Sequence, residues 1–100
     1  NQLIRKCKID GMDVYYLSER YGECDFVVCK GNKAVQCIQV SYDISADKTR
    51  KRELSGLLLA AKRTGCDNLL LITVHHYEEL EASGKKILIK PFYEWALEGE

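Results

Sequence analysis

The sequence predicts an α/β (α+β) domain built on a mixed β-sheet, and three observations lead to that prediction. Short β-rich segments separated by turn residues occupy the chain up to Asp43, an amphipathic helix pattern follows, and a continuous apolar run comes after it. Neighbouring strands with short loops form an antiparallel meander, whereas a strand, a helix and a buried strand form a parallel crossover. The sheet should therefore contain both strand directions.

Length and composition favour one domain. The chain has 100 residues, 46% of them hydrophobic, and a single Pro, so residues 1–100 are expected to form one unit. No run approaches the roughly 20 apolar residues of a membrane span, so no membrane partner is expected. Five Cys without CxxC spacing are interpreted as free thiols, which predicts a cytoplasmic location. Fifteen basic residues balance fifteen acidic ones, so the net charge of the chain does not attract nucleic acid.

The first half of the chain is predicted as a helix end followed by a three-stranded meander. The helix end covers residues 1–6, and turns are expected at 9–12 and 18–22. The strands are expected at 13–17, 24–29 and 33–42. The Gly31-Asn32 pair between the last two strands accepts the backbone angles of a tight hairpin turn.

The second half begins with a crossover helix over residues 48–64. Its apolar positions are Leu54, Leu57, Leu58 and Ala61. Residues 45–47 offer N-cap oxygens and Gly65 follows the last turn. The apolar run 68–74 predicts a buried strand parallel to strand 33–42. A helical or irregular stretch (77–82), a turn (83–85), an edge strand (86–89) and a short helix (92–97) opened by Pro91 complete the prediction.

The loop length of the predicted hairpin decides which polar side chains share a face. A two-residue loop, Gly31-Asn32, would place Asp25 opposite Ile38 and away from Gln39. An odd loop, such as residues 31–33, would place Asp25 opposite Gln39. The odd register is preferred because it leaves the opposite face almost wholly apolar. The polar face would then collect Glu23, Asp25, Gln39, Ser41 and Asp43.

These residues resemble the PD-(D/E)xK nuclease superfamily, in which a meander carrying acidic residues precedes a crossover helix and a buried strand. More narrowly, GECDFVV, CIQVSYD, TRKREL and GKKILIKPFYEWAL look like the C-terminal domain that follows the ATPase module in a group of prokaryotic AAA+ proteins of unknown function. The resemblance implies a restriction-endonuclease-like core with a truncated first helix. It also implies that residues 1–100 are the C-terminal fragment of a larger ATPase, with its own upstream ATPase module as a partner.

In active members of the superfamily, an acid on the second strand and a Glu on the third bind Mg²⁺, and a Lys two residues later stabilises the charge at phosphorus. Asp25 matches the first acid and would be the metal ligand. Gln39 stands in the Glu position and Ser41 in the Lys position. An amide binds Mg²⁺ weakly and a hydroxyl does not replace an ammonium. The motif is therefore expected to be degenerate, the fragment not to be an enzyme, and no cofactor to be bound, with Mg²⁺ as the alternative.

A second hypothesis keeps nuclease activity through migrated residues. Glu23 and Asp43 would supply carboxylates on the same predicted face, and Glu53 of the crossover helix would take the Glu role. The Lys role would pass to Lys48, Lys51 or Arg52.

Four cations occupy the first two turns of the predicted crossover helix, where the helix dipole favours anions. They are Lys48, Arg50, Lys51 and Arg52. They are candidate nucleic-acid or phosphate ligands, and the alternative is a solvated helix surface. The leading functional hypothesis is a degenerate nuclease-fold module for recognition or regulation, attached to an AAA+ ATPase. An active metal-dependent nuclease and a protein-interaction domain without nucleic-acid binding are the alternatives.

Overall fold

The computed structural model describes residues 3–9, 11–20 and 22–98, which form two helices and one mixed sheet of seven strands. The strands are β1 (Leu3–Ile9), β2 (Met12–Glu19), β3 (Gly22–Lys30), β4 (Lys33–Val40), β5 (Leu69–Thr73), β6 (Glu78–Ala82) and β7 (Lys85–Pro91). The helices are α1 (Asp47–Thr64) and α2 (Phe92–Glu98). The strand order is β1-β2-β3-β4-β5-β7-β6. The predicted mixed α+β architecture is confirmed.

The N-terminal segment was predicted wrongly as a helix end. Residues 3–6 belong to β1, which pairs antiparallel with β2 across a turn containing Gly11 at φ 79°. Asn1, Gln2, Asp10 and Tyr21 lie outside the described residues. A short helical end makes few hydrogen bonds by itself, whereas a strand beside β2 gains a ladder of them. Residues 3–9 therefore contain no part of the truncated first helix that the nuclease resemblance implied.

The meander and the crossover are confirmed. Strands β2, β3 and β4 are antiparallel neighbours, and β4 pairs parallel with β5 after α1. All five residues of β5 are buried, as expected of a central strand. Gly65 ends α1 at φ 74°, and its N–H donates to the Ala61 carbonyl at 2.8 Å. The predicted N-cap does not form, because Ala46 occupies the cap position and has no side-chain oxygen.

The C-terminal hairpin corrects two further predictions. Residues 78–82 form strand β6 and not a helical or irregular stretch, and β7 lies between β5 and β6 and is not at the edge. Ser83 and Gly84 both have positive φ, 52° and 76°, as a type I′ hairpin turn requires. An edge strand has one open side, so it tolerates the charged sequence EELEA that suggested a helix.

The two faces of the sheet carry separate apolar clusters. The face that α1 covers, here the α1 face, holds the larger one, which includes Leu17, Val27, Leu57, Leu71 and Ile89. The opposite face, here the α2 face, holds Ile38, Leu70 and Ile72, with Phe26, Val28 and Leu88 packed against them. Helix α2 contacts β5 and β7.

Two ion pairs fasten α1 to distant strands of the sheet. Near its C-terminal end, Arg63 donates to both carboxylate oxygens of Glu19 in β2, at 2.6 and 2.8 Å. Near its N-terminal end, Arg50 donates to both carboxylate oxygens of Glu78 in β6, at 2.8 and 2.7 Å. The helix thus crosses the sheet from β6 to β2.

Candidate functional site

The hairpin of β3 and β4 combines both predicted registers. Its turn is Gly31-Asn32, as in the two-residue alternative, because Lys30 pairs with Lys33. Val35 is then an extra residue in β4 and forms a β-bulge, which shifts the pairing by one position. Beyond the bulge the register is that of the odd loop, which brings Asp25 and Gln39 together.

Asp25 and Gln39 are hydrogen-bonded where the ladder between β3 and β4 ends. The Asp25 N–H donates to Gln39 Oε1 at 2.8 Å, and the Val40 N–H donates to Asp25 Oδ2 at 3.0 Å. Gln39 Nε2 donates to the carbonyls of Glu23 at 2.8 Å and Glu53 at 3.3 Å. The side-chain amide therefore replaces a peptide group between the two strands and connects both to α1. We call this group the Asp25–Gln39 junction.

Gln39 is only 2% exposed, and Gly56 of α1 packs directly on it. A Cβ atom at position 56 would collide with the Glu23 carbonyl oxygen and with Gln39 Nε2. A buried amide costs free energy unless its polar atoms are bonded, and here the oxygen and the nitrogen both are. Gln39 and Gly56 thus hold α1 against β3, a role that sequence reasoning missed. The signal for it was a Gly inside an otherwise strong helix pattern.

Three carboxylates lie around the junction. Glu23 is exposed, whereas Asp25 and Glu53 are half-buried. Burial raises the pKa of the Glu53 carboxyl above its ordinary value, and the charges of Asp25 and Glu23 raise it further against the opposing effect of Arg52. Glu53, the residue predicted to migrate into the Glu role, is thus electrostatically coupled to Asp25. Within the described part of the chain, no group of three His, Cys, Asp or Glu residues has an arrangement that could hold a metal ion.

Ser41 and Asp43 follow the end of β4. The Ser41 N–H donates to the Ile72 carbonyl at 2.9 Å and so extends the pairing with β5. Asp43 Oδ1 accepts the Ser45 N–H at 2.8 Å, which lowers the pKa of Asp43. Asp43 lines a cleft of about 590 Å³ that also includes Arg50 and that lies at the carboxyl ends of β4 and β5.

The four candidate phosphate-binding cations do not share one environment. Lys48, Lys51 and Arg52 are exposed on α1. Arg50 instead pairs with Glu78, whose Oε1 also lies 2.8 Å from His76 Nε2. The bonds from Arg50 and then from His76 lower the pKa of Glu78 to about 2. The ion pair with Glu78 of β6 thus explains why a cation, Arg50, lies near the N-terminal end of α1.

Neither described helix has the length and apolar character needed to cross a membrane.

Comparison with known proteins assigns the chain to no family. No family model matches the chain, and no curated protein or solved structure shows significant similarity to it.

Proposed function

We propose that the chain is a catalytically degenerate nuclease-fold domain that serves as a recognition or regulatory module attached to an AAA+ ATPase in the cytoplasm. The observation that carries the proposal is the bonding of Gln39. Its oxygen accepts the Asp25 N–H and its nitrogen donates to two backbone carbonyls. The amide in the position of the motif's Glu is therefore part of the packing between α1 and the sheet.

The carboxylate of Asp25 is also engaged in the fold. Its Oδ2 accepts the Val40 N–H, so one of its two oxygens maintains the connection between β3 and β4. Ser41, two residues after Gln39, provides a hydroxyl where phosphodiester cleavage needs a positive charge. The order of meander, crossover helix and buried parallel strand supports a nuclease-type ancestry. A nuclease fold that lacks its catalytic groups can still bind nucleic acid. The exposed Lys48, Lys51 and Arg52 are the residues proposed to contact phosphate.

The test measures cleavage and binding separately. The purified chain is incubated with fluorescent single-stranded DNA, duplex DNA and RNA in the presence of Mg²⁺ or Mn²⁺. We expect no cleavage, and we expect the triple variant Lys48→Ala/Lys51→Ala/Arg52→Ala to weaken nucleic-acid binding in fluorescence anisotropy. Metal-dependent cleavage that Asp25→Ala abolishes, and that the matched variant Asp13→Ala retains, would overturn the proposal.

A second candidate is an active metal-dependent nuclease with migrated residues, in which Glu53 takes the Glu role and Lys51 the Lys role. The position of Glu53 beside Asp25 favours it. Burial first and then the charge of Asp25 raise the pKa of Glu53, and a bound divalent cation would offset both effects. This candidate predicts heat of Mn²⁺ binding in a calorimetric titration. The heat should disappear in Asp25→Asn and in Glu53→Gln but persist in Asp47→Asn, and a titration without heat in the unsubstituted chain would exclude it.

A further inference from the structure

The sheet ends at β6, whose outer side is open. In the described part of the chain β6 pairs with β7 alone. Ala82 and Lys85 flank the two-residue turn, and such a closing pair exchanges both backbone hydrogen bonds. Hydrogen-bonded pairs then recur at every second residue along an antiparallel ladder. The N–H and C=O groups of Glu79 and Glu81 therefore point outward, away from β7.

The side chains of β6 alternate in chemistry between the two faces. Leu80 and Ala82 pack against the core of the α1 face. The intervening Glu79 and Glu81 are exposed on the α2 face, as period-two alternation requires. The open edge thus presents an apolar row on one side and an acidic row on the other.

A groove of about 690 Å³ adjoins this edge and is predominantly acidic. Its titratable lining residues are Asp67, Glu79, Glu81, Glu94, Lys86 and Lys90. Four carboxylates therefore face two ammonium groups. Asp67 is bonded to Lys85, and Glu79 accepts a hydrogen bond from the Tyr77 hydroxyl at 3.0 Å. With Asp67 bonded to Lys85, three carboxylates remain against the two lining ammonium groups, of which Lys86 lies opposite Glu81 in the register. The groove therefore keeps an excess of one negative charge.

We propose that β6 accepts an extended segment of a partner protein in which Lys or Arg residues alternate with apolar residues. The segment adds a strand to the sheet by bonding to the outward backbone groups of Glu79 and Glu81. Its cations lie on the α2 face opposite the two carboxylates, and its apolar side chains extend the core beside Leu80 and Ala82. The same two carboxylates oppose pairing between the β6 strands of two copies, because like charges would then meet.

The probe is the synthetic peptide acetyl-Lys-Val-Lys-Val-Lys-amide, titrated into the ¹⁵N-labelled chain and followed by NMR. We expect saturable shifts that are largest at the amides of residues 78–82. Glu79→Gln/Glu81→Gln should weaken binding about tenfold or more. The matched variant Glu23→Gln, which removes an exposed carboxylate from β3, should leave the affinity unchanged. The peptide acetyl-Glu-Val-Glu-Val-Glu-amide should not bind.

Two N-methylated versions of the lysine peptide separate strand addition from simple charge attraction. Methyl groups on the amides of one edge of the peptide should abolish binding, whereas methyl groups on the opposite edge should leave it intact, since one edge alone faces β6. Equal effects of the two patterns, absence of binding, or shifts centred away from β6 would overturn the proposal. Concentration-dependent self-association of the chain that broadens the same amides would overturn it as well, because the occupant would then be a second copy.

Discussion

The backbone N–H of Asp25 donates to the side-chain oxygen of Gln39 at 2.8 Å, across the point where β3 and β4 separate. The two positions at which the proposed nuclease motif would bind metal are therefore bonded to each other. The contact belongs to a set that includes the carbonyls of Glu23 and Glu53 and the N–H of Val40.

Gln39→Glu, which places an acid at the Glu position of the proposed motif, should destabilise the fold by about 2–4 kcal/mol. A carboxylate in that buried position has no proton to donate and would face the carbonyl oxygens of Glu23 and Glu53. Urea unfolding measures the loss, with Gln36→Glu on the same strand as the control. Neither Gln39→Glu nor Gln39→Glu/Ser41→Lys should gain cleavage activity, and a stable, active double variant would contradict the structural role of the amide.

Gly56→Ala should lower the free energy of unfolding by about 2–3 kcal/mol, although Ala favours a helix over Gly by about 1 kcal/mol. The new methyl group meets a backbone carbonyl and the Gln39 amide, and a backbone atom cannot rotate away. Ser55→Ala, at the exposed neighbouring position, is the control and should be neutral or slightly stabilising. Thermal unfolding followed by circular dichroism checks both. A stabilised Gly56→Ala variant would show that α1 does not approach β3 this closely.

Glu53→Gln should stabilise the chain at pH 7. Burial and then the charge of Asp25 raise the pKa of Glu53 in the folded state above 4.5, so the folded state binds the proton more tightly than the unfolded state. Protonation of Glu53 therefore stabilises the folded state. This contribution is fully present below pH 4.5 and is lost as the pH rises through the pKa of Glu53 in the folded state. The advantage of Glu53→Gln over the unsubstituted chain should therefore shrink toward pH 4. Unfolding curves across this range measure it, and a constant difference would mean that Glu53 does not titrate abnormally.

Glu78→Gln should destabilise the chain at pH 7 by about 1 kcal/mol, because it removes a two-point bond to Arg50. The bonds from Arg50 and His76 lower the pKa of Glu78 from 4.5 to about 2. The stabilisation is thus present above pH 4.5 and is lost as the pH falls toward 2. The variant and the unsubstituted chain should converge in that window in urea titrations. Glu81→Gln on the same strand is the control, and its stability at pH 7 should differ little from that of the unsubstituted chain.

Local signals made part of the fold predictable from sequence. The spacing of Leu54, Leu57, Leu58 and Ala61 predicts α1, and the run after Asn68 predicts β5. Both signals lie within the element itself. Strands β1 and β6 were missed because each depends on pairing with a neighbour, and pairing outweighs the intrinsic preference of a short polar segment.

The proximity of Asp25 and Gln39 was predictable from sequence, whereas their bonding was not. The odd register, which places the two residues opposite each other, followed from the alternation of apolar residues predicted along the two strands. The bulge at Val35 that creates this register has no sequence mark, because Val is an ordinary strand residue. The use of the Gln39 amide depends on how closely α1 approaches at Gly56, and that distance is a property of the assembled fold.

The two ion pairs of α1 join parts of the molecule that four intervening strands separate. Arg50 holds β6 and Arg63 holds β2, and β3, β4, β5 and β7 lie between them. Both arginines belong to one continuous helix, α1. The open edge of the sheet at β6 is therefore connected to the meander by two ion pairs and a helix, a route that bypasses the four intervening strands.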